Sequence, residues 1–380
     1  MKKQNEKKKI NINFFKGIEK ADTTLFNVIL VMLCFGLLMC FSASAPSAEV
    51  YHNDSYYFLK KQIIMAIAGL VIMIFTTNMK FDTIKKNTGL IYIASVVMLM
   101  VVFAMPSVNG ARRWIMLGPI SFQPSEVAKI AVILLMAKKL ENKDWEKSKF
   151  FEDFIKCTLP AIAICGLLAM QPHFSCIILI IIITVAMMFF AGAKIKHFFI
   201  CLACMIPVVG WYVFGSGDAG YRASRIDAFF HPLEHVQDGA YQTIQALYAI
   251  GSGGFFGLGL GGSRQKFLYL PEPQNDFIFA VICEELGFIG AVFLIGLFCI
   301  MLWRCIVIAI NVQDRYKSLV VLGITTLMAA QFIINICVVT NLFPVTGMPL
   351  PFFSAGGTSL LFVMFAMGIV LNISKDLKKK

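Results

Sequence analysis

Long apolar runs broken by short polar stretches set the pattern of this chain. Ten runs approach the roughly 20 residues that a helix needs to cross a ~30 Å hydrocarbon core. They are 25–45, 59–75, 89–105, 124–137, 154–170, 176–191, 198–214, 277–303, 319–340 and 359–373. The pattern predicts an all-α polytopic membrane protein of about ten transmembrane helices, with 124–137 the shortest span. A polar stretch, 215–276, separates the seventh and eighth spans. It is too long for a bare connection, so it is expected to carry short amphipathic helices on the membrane surface, at 221–226 and 241–247. The chain divides into a basic tail (1–24), a transmembrane domain (25–373) and a second basic tail (374–380).

Composition agrees, with 58% hydrophobic and 15% charged residues, far from the average soluble domain. A net charge of +12 raises nucleic acid as a partner, but the placement of the charges removes it. By count, 25 of the 34 Lys and Arg fall in the tails and alternate loops of one side, the asymmetry of cytoplasmic segments. Both termini are therefore expected in the cytoplasm and 215–276 outside. Orientation and attraction to anionic membrane lipids account for the basic tails. Ser42-Ala43-Ser44-Ala45 mimics a signal-peptidase site after a basic start, yet the apolar run before it is long, so it reads as an uncleaved first helix. All 11 Cys lie in or beside apolar spans and read as small apolar fillers. Cys201-x-x-Cys204 has metal-ligand spacing but no second pair, so no metal site is assigned.

The polar residues worth chemistry lie in the outside segments. Arg112, Arg113 and Trp114 precede Gln123-Pro124-Ser125-Glu126, which opens the fourth span with Pro in its first turn and Glu126 at the positive end of the helix dipole. Lys129 follows inside the apolar run, where it must face protein or a wet groove and pair, Glu126 being the nearest acid. Three cations here suit a pyrophosphate, although loop stapling and an internal ion pair explain them equally. Gln171-Pro172-His173 is a turn with no required chemistry.

Glycines crowd 251–262. Gly257-x-Gly259-x-x-Gly262 fits a dinucleotide fingerprint by letter, but no βα unit surrounds it, so the glycines are expected to pack backbone closely or hug a ligand. Asp276 stands before Phe277-Ile278-Phe279 at the start of the eighth span, where it can cap the helix, act as a base, or do both. Glu284 and Glu285 follow at about 80° and 180° from it around the helix, so the three acids cannot share a face. Three Pro and three Gly crowd 343–359, a re-entrant stretch that is tolerated only if protein buries it or it lines a cavity.

NGARRW, FQPSE, RIDAFFHP, the run from YQTIQALYAIGSGG to EELGFIG, and PVTGMPLPFFSAGGTSL together resemble the SEDS family, which includes FtsW, RodA and SpoVE. SRQKFLYLPEPQNDFIFA is most similar to FtsW and SpoVE. The resemblance implies a ten-helix peptidoglycan glycosyltransferase that polymerises lipid II at the outer face of the bacterial cytoplasmic membrane, in cell division or spore cortex formation. It also implies a class B penicillin-binding protein as transpeptidase partner, beside other divisome or sporulation proteins. The essential aspartate of the family falls on Asp276, and Arg112, Arg113, Lys129, Glu126 and Ser354 are the substrate-binding candidates. His173 stands where the family usually has Asp, and it is assigned no catalytic role. No cofactor is evident, and a divalent cation is neither required nor excluded.

Two other functions fit the same residues: a transporter that flips the lipid-linked precursor, and a scaffold that activates the penicillin-binding protein. The concentration of polar residues at one face rather than at the midplane weighs against transport.

Overall fold

The structure, a computed structural model, describes residues 20–106, 112–117, 120–145, 150–199, 229–234 and 240–377. They form α1 (Thr23–His52), α2 (Tyr57–Asn78), α3 (Phe81–Val101), a hairpin of β1 (Ile115–Leu117) and β2 (Ile120–Phe122), α4 (Pro124–Leu140), α5 (Lys156–Met170), α6 (Phe174–Phe190), α7 (Tyr241–Gly253), α8 (Ile278–Asn311), α9 (Arg315–Val339) and α10 (Thr358–Ser374). Among the described residues, six helical stretches are long and apolar enough to cross a membrane, and α6 and α10 are shorter apolar helices. The protein is a multi-pass, almost wholly helical membrane protein. Nine of the ten expected spans are helices; the seventh, 198–214, lies outside the described residues apart from its first two, as does the surface piece 221–226. The piece at 241–247 is the first half of α7. The small antiparallel hairpin, pairing Ile115 with Phe122, was not expected.

Helix α1 runs through Ser42–Ala45 to His52. Asp22 caps it, accepting from Leu25 N at 2.8 Å. The same carboxylate pairs with Arg304 of α8, and Asp22 N donates to Ser374 Oγ of α10, so three helices are tied together at one end. α2 and α10 pack tightly because Gly368 brings the backbones together; a Cβ there would lie 2.8 Å from Met73 O. Asn372 Nδ2 then donates to Thr76 O, Thr77 O and Met79 O, fastening α10 to the carbonyl end of α2.

The run that reads weakest in the sequence, α4, is enclosed by α3, α5, α6 and α9. Of its 17 residues, 13 are buried. A helix with little lipid-facing surface needs little hydrocarbon, which is why its composition reads weakly as a span.

Helix α8 is broken at Gly287, whose φ of 65° and ψ of −160° are open essentially only to glycine. The break leaves Glu284 O and Glu285 O without their usual partners, Phe288 N and Ile289 N. The glycine-rich segment replaces them. Leu258 N and Gly259 N donate to the two carbonyls at 2.9 Å, while Phe288 N and Ile289 N donate to Gly254 O and Phe255 O at 3.0 and 3.3 Å. A Cβ on Gly257 would sit 2.2 Å from Glu285 O. Close backbone packing is thus what these glycines provide. Their part of the 215–276 stretch is not a plain surface loop, because it lies along α8 about 10 Å from the start of the helix.

Candidate active site

The carboxylate of Asp276 lies where three segments meet. Helix α8 starts at Ile278, with Phe277 in the cap position and no side-chain cap, so the expected capping by Asp276 is not formed. The chain turns into the helix one residue later than the sequence indicates. The backbone of Asp276 is held instead by Asn335 of α9, whose Nδ2 donates to Asp276 O and to Met348 O, both at 2.7 Å. Gly347 (φ 63°) borders the side chain, and a Cβ there would make an ordinary contact with Asp276 Oδ2 at 3.7 Å. Ala355 N donates to Gln274 O at 2.8 Å. The re-entrant stretch is therefore fastened against residues 274–276 on both sides of the carboxylate.

That packing has an electrostatic consequence. Burial pushes the Asp276 carboxyl up to about 6; a hydrogen bond from its own backbone N–H opposes the rise, and the charge of Glu272 adds to it. The result is a carboxylate that is ionised at neutral pH yet far more basic than an exposed one.

The cations gather at the start of α6. Lys129 and Glu126 form a buried ion pair at 2.8 Å, the pairing expected from their spacing. Arg113 donates to Pro172 O, beside His173. Burial, with the charges of Arg113 and Lys129, lowers the His173 pKa to about 3, so its imidazole is neutral. Arg112 is exposed and donates in the other direction, to Phe103 O at 2.8 Å. Ser175, two residues into α6 from His173, donates its hydroxyl to Thr346 O, next to Gly347. Arg113 and Ser175 thus join the start of α6 to the neighbouring loop and to the re-entrant stretch, while Lys129 reaches His173 only through its charge.

Ser354 is 4% exposed, and its Oγ accepts from Leu350 N at 2.7 Å. It shapes the turn of the re-entrant stretch. Glu284 and Glu285 point into the loop packed on α8, where their partners are Ser263, Arg264 and Lys266. Sequence reading did not single out Asn335, Gln274 or Ser175. Asn335 and Ser175 carry a readable signal, a polar side chain near a span end where an apolar one is the rule.

Comparisons with known proteins bear on the chain as a whole. A family described as Cell cycle protein, grouping FtsW, RodA and SpoVE, matches residues 22–379. The chain belongs to this family. Within the FtsW/RodA/SpoVE family, it is 41% identical to Stage V sporulation protein E of Bacillus subtilis, over 93% of this chain and 97% of that protein. It is 39% identical to a probable peptidoglycan glycosyltransferase FtsW of Trichlorobacter lovleyi, over 95% of each. Among solved structures it is similar to a chain of a peptidoglycan synthase complex that coordinates polymerization and crosslinking (TM-score 0.79, 25% identity, 95% of this chain and 99% of that one). It is also similar to the rod shape determining protein RodA of Thermus thermophilus (TM-score 0.70, 25% identity, 95% and 98%).

Proposed function

We infer that this FtsW/RodA/SpoVE family member is a peptidoglycan glycosyltransferase that polymerises lipid II, and that Asp276 is its base. The observation that carries the assignment of Asp276 is a carboxylate raised to about 6 by burial, lying beside a re-entrant stretch that Ser175 of α6 also holds, with Arg113 at the start of α6 and Lys129 buried near it. In the reaction, Asp276 takes the proton of a sugar hydroxyl as its oxygen bonds to the anomeric carbon of a second glycan end. The bond from that carbon to the pyrophosphate breaks, its electrons leave on undecaprenyl pyrophosphate, and the configuration inverts. A base with a pKa near the working pH serves this transfer better than an ordinary carboxylate.

Arg113 and Lys129, with Arg112 nearer solvent, stabilise the charge that develops on the leaving pyrophosphate, the larger electrostatic contribution in such sites. Glu126 holds Lys129 in place, and Ser354 holds the turn that borders the carboxylate. The bias of Lys and Arg toward one side supports cytoplasmic termini and puts Asp276 at the outer leaflet. A class B penicillin-binding protein is the fitting partner, because a similar chain occurs in a synthase complex that couples polymerization to crosslinking.

Purified protein with lipid II in detergent, with and without that partner, tests the reading by polymer on a gel. Glycan chains are expected from the native protein, and none from Asp276→Ala that is folded and still binds the partner. Normal polymerisation by that variant would overturn the role of Asp276. Polymer from neither form would point to transport or scaffolding.

A further inference from the structure

Glu284, Glu285 and Lys266 are buried at 1, 0 and 4% exposure, and the transfer reaction uses none of them. They face the glycine-rich loop. Glu284 accepts from Ser263 Oγ and from Arg264 N at 2.9 Å, with longer contacts from Ser252 Oγ and Gln265 N at 3.4 Å. Every donor comes from one stretch, 252–265. Glu285 pairs with Lys266 at 2.8 Å and accepts from Ser42 Oγ of α1 at 2.7 Å. The two acids thus receive the loop where it leaves the break in α8.

From Lys266 the chain reaches Asp276 in ten residues. Leu270 N donates to Gln265 O and Asn275 N to Glu272 O within that span, and Asn335 fixes its far end. The backbone ladder holds 254–259 on α8, and beyond it the near end, 263–266, is fastened to the helix by Glu284 and Glu285.

We propose that Glu284 is a positioning residue for Asp276, holding 252–265 on α8 so that the following segment presents the base against the re-entrant stretch. This rests on the reading of Asp276 as the base. The chemistry requires a carboxylate. Four donors converge on it, and an acceptor-only group with two oxygens meets them without presenting a hydrogen of its own. Gln would turn an N–H toward Arg264 N or Ser263, and Asp would fall one methylene short. The Lys266–Glu285 pair acts beside it as a second anchor, reaching α1.

The test uses the full chain in the detergent assay above, with kcat, KM and the pH dependence of kcat measured on lipid II. For Glu284→Gln the expected result is a fall in kcat of roughly 100-fold, the size of effect that a ~1 Å misplacement produces, with KM within about threefold. The acid limb near pH 6 should also move toward the ordinary carboxylate range, as a loosened loop lets water reach Asp276. The other titratable group that acts on Asp276 is Glu272, which the substitution leaves in place. Ser263→Ala removes one donor and keeps the carboxylate, so it serves if the Gln variant does not fold; roughly a tenfold fall with the same shift of the limb is expected.

A limb that stays at pH 6 in every folded variant would overturn the proposal and leave Glu284 a structural residue, whatever the kcat. Asp276→Asn separates this from the underlying reading. If it polymerises normally, the base assignment fails. If it is inert while both loop variants keep native kcat and pH profile, only the positioning proposal fails.

Discussion

Asn335 donates from one amide nitrogen to the backbone carbonyls of Asp276 and Met348, at 2.7 Å each. A single buried side chain on α9 therefore joins the segment bearing the carboxylate to the re-entrant stretch opposite it. Asn335→Ala should cost about 2 kcal/mol of stability for two lost buried hydrogen bonds. It should also lower lipid II polymerisation by roughly 10- to 100-fold through misplacement of the carboxylate. Thermal unfolding in detergent beside turnover measures both; a full stability loss with unchanged turnover of the folded fraction would remove Asn335 from the site.

The raised pKa of Asp276 gives a pH signature in activity and in stability. If Asp276 must be ionised to act, kcat should climb with pH through about 6 and then level off. The stability effect has the opposite sign. A carboxyl raised from 3.8 to about 6 penalises the folded state once it ionises, so the penalty is absent below pH 4, grows from 4 to 6 and is complete above 6. Asp276→Asn should therefore raise the melting temperature at pH 8 and change little at pH 4. Equal effects at both pH values would mean that water already reaches the carboxylate.

His173 shows the other sign. Its pKa, lowered from 6.5 to about 3, gives stability that is present above pH 6.5 and lost as pH falls toward 3. Replacement by Gln should flatten the loss of melting temperature between pH 7 and 5, and the pH profile of polymerisation should carry no limb that Gln abolishes.

The buried Lys129–Glu126 pair separates folding from function. Lys129→Met leaves a lone acid buried, a loss of about 3–5 kcal/mol. Adding Glu126→Gln should recover most of the melting temperature and none of the polymerisation, because the charge facing the leaving pyrophosphate is still missing. Recovery of both would make the pair purely structural.

Two nearby glycines make an internal control. Gly257→Ala places a Cβ 2.2 Å from Glu285 O, whereas Gly259, also at positive φ, has nothing within 4 Å. Gly259→Ala should cost about 1 kcal/mol of backbone strain. Gly257→Ala should cost several times more, or fail to fold; similar melting curves for the two would disprove the close approach.

The helices were legible because lipid-facing residues must be apolar over a whole span, and that period survives in sequence. α4 was legible only weakly because protein surrounds it. The break in α8 was hidden, since Gly287 sits in an apolar run like any membrane glycine and its φ cannot be read from its letter. For the site, Lys129 and Glu126 stood out as charges in an apolar run, and Arg113 and Asp276 as charges in outside segments that border spans. Asn335 and Gln274 did not, because Asn335 donates to two carbonyls brought from distant parts of the chain and Gln274 acts through its own backbone carbonyl. The cap at Asp276 was misread by one residue, the usual precision of a helix boundary.

The glycine ladder beside α8 acts as a splint. The segment from Gly254 to Gly259 supplies, from elsewhere in the chain, both carbonyls and both amides that the helix lacks across its fracture. Shortening that segment would do more than trim a loop: it would leave four bare backbone groups at the break of an apolar helix, a heavy penalty wherever hydrocarbon rather than water surrounds them. The start of the chain between α7 and α8 is therefore part of the helix it leads to.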